Sequence, residues 1–98
     1  METYLPKEYK DKVVHCKRQP FDVYIGRPSI FGNPFEVGKD GSREDVIQKY
    51  KEYFYAKIED NEQFKRAVLK LKGKVLGCWC YPKDCHARII IEWLENNG

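Results

Sequence analysis

The sequence predicts a small α/β domain, in two or three layers, whose short and mostly parallel sheet follows the element order β-β-α-α-β-α. Three observations predict it. Runs rich in β-branched and apolar residues recur around Val13-Val14, Val23-Tyr24-Ile25 and Val75-Leu76. Two stretches of helical period separate the second run from the third, and a long crossover of that kind is what neighbouring parallel strands require. The 98 residues leave room for one hydrophobic core, so residues 1–98 are expected to form a single domain.

Residues 1–11 are polar, contain tyrosine and lack a period, and are expected to form an N-terminal extension. Lys12 to Lys17 reads as the first strand, because adjacent β-branched residues and a small thiol suit a sheet better than a helix. Gln19-Pro20 interrupts it. Phe21 to Ile25 is the second strand, with Phe21, Val23 and Ile25 expected on one face. The loop Gly26-Arg27-Pro28-Ser29-Ile30-Phe31-Gly32-Asn33-Pro34-Phe35 sets three apolar side chains among two glycines, two prolines and one asparagine. Prolines restrict their neighbours and glycines permit close approach, so this loop is expected to lie anchored against the body.

After a turn at Gly38 to Gly41, Ser42 reads as the N-cap of a helix with Glu44 and Asp45 in its first turn. Val46, Ile47, Tyr50, Tyr53, Phe54 and Ile58 form its apolar stripe. Asn61 can cap a second helix carrying Phe64, Ala67, Val68 and Leu71, which Gly73 stops. Lys74 to Cys80 is the third strand, with Leu76, Cys78 and Cys80 on one face and Val75, Gly77 and Trp79 on the other, both expected to be buried. Pro82 breaks that run. Asp84 can cap a last helix whose inward stripe is Ala87, Ile90, Ile91 and Leu94.

With 18 Lys and Arg against 15 Asp and Glu, the net charge of +3 marks no dedicated nucleic-acid surface, since acidic residues punctuate most basic stretches. A mildly basic region nonetheless runs through Lys7, Lys10, Lys12, Lys17 and Arg18, and the last two could close a phosphate site. His15 reads as an ordinary hydrogen-bonded strand residue. No apolar run approaches the roughly 20 residues needed to cross a bilayer, and the start of the chain lacks the pattern of a signal peptide. A cytoplasmic chain with reduced thiols is therefore expected, and the four cysteines are read as packing, metal-binding or catalytic groups.

The stretch Cys78-Trp79-Cys80-Tyr81-Pro82-Lys83-Asp84-Cys85-His86 has two chemical readings. Zinc could be held by Cys80, Cys85 and His86, joined by Cys16 or Cys78, although the spacing differs from the usual knuckles. Alternatively, Cys85 stands at the first helical position, where free N–H groups favour a thiolate, and His86 supplies an acid-base group beside it. The same helix start can hold phosphate, with Arg27 and Arg88 as counter-charges and Asn33 in the facing loop. In an open parallel sheet, ligands gather beyond the carboxyl ends of the strands, and both candidate loops leave such ends.

Taken together, Gly26-Arg27-Pro28-Ser29, Gly32-Asn33-Pro34-Phe35, Gly41-Ser42-Arg43-Glu44, Lys49-Tyr50 and Gly73 to Cys80 with Pro82, Cys85 and His86 resemble the domain of unknown function called DUF4326, found in bacterial, archaeal and phage proteins. The resemblance runs from about Val13 to Leu94. It implies that Arg27, Asn33, Cys80, Cys85 and His86, with Gly26, Pro28, Gly32 and Pro34, share one functional surface, and it carries no established reaction. Ala87 departs from the pattern, in which Gly often follows the Cys-His pair. The expected function is a small enzyme-like domain that recognises a nucleotide or another phosphorylated metabolite. Cys85 and His86 are its candidate catalytic residues, and Gly26, Arg27, Pro28, Gly32, Asn33, Pro34, Cys80 and Arg88 its candidate ligand contacts. The alternative is a zinc-containing module that binds nucleic acid or protein.

Overall fold

The described residues form three short strands and three helices in the expected order β-β-α-α-β-α. They are β1 (Val13–His15), β2 (Val23–Tyr24), α1 (Arg43–Asp60), α2 (Glu62–Leu69), β3 (Leu76–Cys78) and α3 (Ala87–Asn97). The structure, a computed structural model, describes residues 12–27, 29–79 and 85–97. The N-terminal extension, the Asp84 cap and the candidate residues Pro28 and Cys80 lie outside them.

The sheet order is β1-β3-β2, with β3 parallel to both neighbours. Val13 and Val23 flank Leu76 in register, and Val14 and Tyr24 flank Gly77. Asp22 pins β2 in place: its carboxylate accepts from the Val75 N–H at 2.8 Å, and its own N–H donates to the Val75 carbonyl at 2.8 Å. Each strand is shorter than its sequence pattern suggests, β2 beginning only at Val23 and β3 spanning Leu76–Cys78.

The α1 start is a capping box. Ser42 Oγ accepts from the Asp45 N–H, and the Asp45 carboxylate accepts from the Ser42 N–H, satisfying two donors that helix geometry leaves open. Asn61 both closes α1, donating its N–H to the Lys57 carbonyl, and opens α2, its Oδ1 accepting from the Phe64 N–H at 3.0 Å. Gly73 has φ +78°, a left-handed conformation that suits glycine after a helix.

Side chains from all three helices meet Val13, Ile25, Leu76 and Cys78 in one core cluster. Tyr50 and Phe54 lie fully buried at its centre, with Phe54 edge-on to Phe64 and Trp93. The other sheet face departs from expectation. Trp79 is 55% exposed, and Phe21, placed by period two beside Val23 and Ile25, instead lays its ring over Gly77. Alternation fails at Phe21 because β2 begins only at Val23, leaving its backbone free of the pleat.

Candidate carboxyl-edge cleft

Parallel pairing carries the chain out of β2 and β3 on the same side of the molecule, and the two candidate segments meet there. A cleft of about 140 Å³ opens between them. Gly26, Arg27 and Asn33 line it from the loop after β2, Arg43 from the start of α1, and Cys78, Trp79, Cys85 and His86 from the opposite wall. Arg27 and Cys85 therefore share one cleft, as the parallel topology predicts.

The loop is held from several sides. Buried Tyr50 donates its hydroxyl to the Phe31 carbonyl at 2.9 Å, while Asn33 donates Nδ2 to the Val46 carbonyl and accepts from the Phe35 N–H. Phe31 is buried as an anchor, whereas Ile30 points to solvent. Gly26 is needed by contact: a Cβ there would fall 2.4 Å from the Tyr24 hydroxyl, which donates to the Arg27 carbonyl and accepts from the Trp79 indole N–H at 2.7 Å. That chain of bonds ties the rim at Trp79 to the backbone at Arg27.

Charge and tautomer set the chemistry of the walls. Arg27 pairs with Glu36 at 2.8 Å, both about half exposed. His86 is only 6% exposed, and burial lowers its pKa below the ordinary histidine value. The bond to the Ile25 carbonyl opposes that shift, and the nearby Arg27 charge adds to it. A neutral imidazole must donate to reach a carbonyl, so the 2.7 Å contact places the proton on Nε2 and leaves Nδ1 as an acceptor. Tyr50 packs edge-on against the same ring at 5.0 Å. Behind the wall, Cys78 Sγ and Cys85 Sγ touch at 3.3 Å.

Several expected positions change. Helix α3 begins at Ala87, so Cys85 precedes its first residue by two positions rather than occupying it. The Cys85 carbonyl accepts from the Arg88 N–H in the turn that leads into the helix. Gly32, Pro34 and Arg88 do not line the cleft. Gly32 is buried against Arg27, where a Cβ would meet the Arg27 backbone at 3.0 Å, and Pro34 is exposed. Arg88 pairs with Glu92 one turn along its own helix. Ala87 is packed in the core, consistent with a helix start that needs no glycine. Among the described residues no group of three or more His, Cys, Asp and Glu side chains could hold a metal ion.

Two wall residues, Trp79 and Arg43, lie in the quoted motifs but are not among the expected ligand contacts. Trp79 is expected on a buried face, yet it is 55% exposed, its indole N–H donating to the Tyr24 hydroxyl. Arg43 carried a local warning, since a cation at the first residue of a helix opposes the macrodipole, and such conflicts collect at functional surfaces.

The DUF4326 family model, a domain of unknown function, matches residues 9–96. The chain belongs to the DUF4326 family. One relative is an uncharacterised 12.4 kDa protein in the nrdA-td intergenic region of Enterobacteria phage T4, 44% identical over 80 residues that cover 81% of this chain and 72% of the relative. Another is an uncharacterised protein of Acanthamoeba polyphaga mimivirus, 34% identical over 106 aligned residues, covering 90% of this DUF4326 chain and 74% of the relative. No solved structure matches it.

Proposed function

We propose that this DUF4326 domain is a small enzyme-like module that recognises a nucleotide or another phosphorylated metabolite in the carboxyl-edge cleft. The observation that carries this reading is the convergence of two arginines, an exposed indole and a buried neutral histidine on one cleft. A phosphate would take the Arg27 fork, because a half-exposed ion pair such as Arg27 with Glu36 is worth only about 0–1 kcal/mol and yields readily to a bidentate anion. Arg43 would add a second positive charge from the start of α1. The cleft is smaller than the roughly 300–1,000 Å³ of ordinary ligand pockets, so part of a nucleotide would lie on the rim, where Trp79 offers a stacking face. His86, held by Ile25, would accept a proton or a hydrogen bond through Nδ1. We read the protein as cytoplasmic, in keeping with Cys16, Cys78 and Cys85 standing outside any disulfide.

Titration of indole fluorescence in a Trp93→Phe background, with nucleoside phosphates, nucleosides and inorganic phosphate, tests the reading. Phosphorylated nucleotides should quench Trp79, and Arg27→Ala should weaken binding about 10- to 150-fold, the loss expected for a charge-assisted hydrogen bond of roughly 1.5–3 kcal/mol. Equal binding of nucleosides, or no binding by any nucleotide, would contradict it. So would stoichiometric zinc in protein purified without a metal-chelating tag, if that zinc is lost in a Cys80→Ala, Cys85→Ala variant.

A further inference from the structure

The paired sulfurs behind the cleft carry a chemistry that ligand recognition does not use. Cys78 ends the central strand and Cys85 stands just before α3, seven residues later, yet their Sγ atoms lie 3.3 Å apart. Both side chains are nearly sealed, at 1% and 2% exposure, and both border the same cleft. Bulky reagents are thereby kept away, while a small solute entering the cleft comes next to both. We propose that Cys78 and Cys85 form an oxidisable dithiol, a modification site at which a small peroxide converts the pair into an intramolecular disulfide.

The step balances with hydrogen peroxide as the oxidant. One cysteine, as its thiolate, attacks a peroxide oxygen; the O–O bond breaks, a sulfenic acid forms and the departing hydroxide leaves as water after taking up the proton that the thiol lost. The second sulfur then attacks the sulfenic sulfur, the S–O bond breaks and a second water leaves. In total two thiols lose two electrons and two protons, and one peroxide becomes two waters. Geometry favours the second step over hydrolysis or further oxidation, because the resolving sulfur already touches the first. Closing the gap to the roughly 2.0 Å of a disulfide needs only about 1.3 Å of relative movement. Trp79 follows one sulfur in sequence and His86 follows the other, so the bond would tie the end of β3 to the start of α3 in the wall of the cleft.

The test uses the full chain carrying Cys16→Ser and Cys80→Ser, which leaves only the proposed pair, treated with hydrogen peroxide near the protein concentration. The expected result is a monomer lighter by about two mass units, with no alkylatable thiol after denaturation and full reversal by dithiothreitol. In the wild-type chain, tryptic digestion without reductant should give a cross-link between the peptide containing Cys78 and that containing Cys85, with fragmentation placing the bond on Cys78. Accumulation of sulfinic acid with no cross-link, intermolecular dimers as the main product, or a wild-type bond to Cys80 or Cys16 would overturn the proposal. None of these readouts depends on nucleotide binding, so the dithiol and the ligand site stand or fall separately.

Discussion

His86 is the residue whose burial has the most direct consequence in solution. Its folded pKa lies below the ordinary 6.5, chiefly through desolvation, so between that folded value and 6.5 the unfolded chain binds more protons than the folded one. Stability must then rise with pH through this window and be lost as pH falls below about 6.5, with a slope of at most about 1.4 kcal/mol per pH unit for one group. Asp45, its carboxyl lowered from 3.8 by the Ser42 N–H, works in the same direction only in the more acid range. Urea unfolding between pH 7.5 and 5 should thus show a slope that His86→Gln flattens, the amide retaining a donor for Ile25; an unchanged slope would remove His86 from the account. Tyr50 offers a second test at the same scale. Tyr50→Phe keeps the ring beside His86 but strips the Phe31 carbonyl of its donor, and should cost about 1–3 kcal/mol in urea unfolding with an unchanged m-value.

At the scale of elements, the helices were legible in the sequence because their information is local. Ser42 and Asp45 close a capping box within one turn, and Asn61 ends one helix and begins the next through bonds to residues no more than four positions away. Strand ends were less legible, since they are set by partners far along the chain: β3 stops at Cys78, and Trp79, expected on a buried face, is 55% exposed. The same limit hid the role of Phe21. A Cβ at Gly77 would meet its ring at 2.6 Å, so the central strand is flat there in order to accept an aromatic cover. Gly77→Ala should therefore cost about 1–3 kcal/mol from overpacking, and should cost clearly less in a Phe21→Ala background. Equal penalties in the two backgrounds would show that the ring does not set the requirement.

For the whole molecule, what the parallel sheet accomplishes is to gather segments distant in sequence onto one edge. The loop after β2, the start of α1 and the segment after β3 meet in a cleft that no single motif encodes. Topology made that meeting legible for Arg27, Asn33, Cys85 and His86, while Arg88 pairs with Glu92 along α3. Among the described residues no helix is long and apolar enough to cross a membrane. A second groove, floored by Leu71, Leu76 and Ile91, opens at the amino ends of β1 and β3 and supplies an internal control for any binding experiment. The most direct test is a titration of nitrogen-15-labelled full-length protein with nucleoside triphosphates, followed by backbone and side-chain N–H signals. Recognition in the carboxyl-edge cleft predicts saturable shifts at the Trp79 indole N–H, Gly26, the Arg27 guanidinium and the Asn33 amide, with Gly73 and Lys74 unmoved. Shifts confined to Gly73, Lys74 and their groove, or no shifts at millimolar nucleotide, would contradict it.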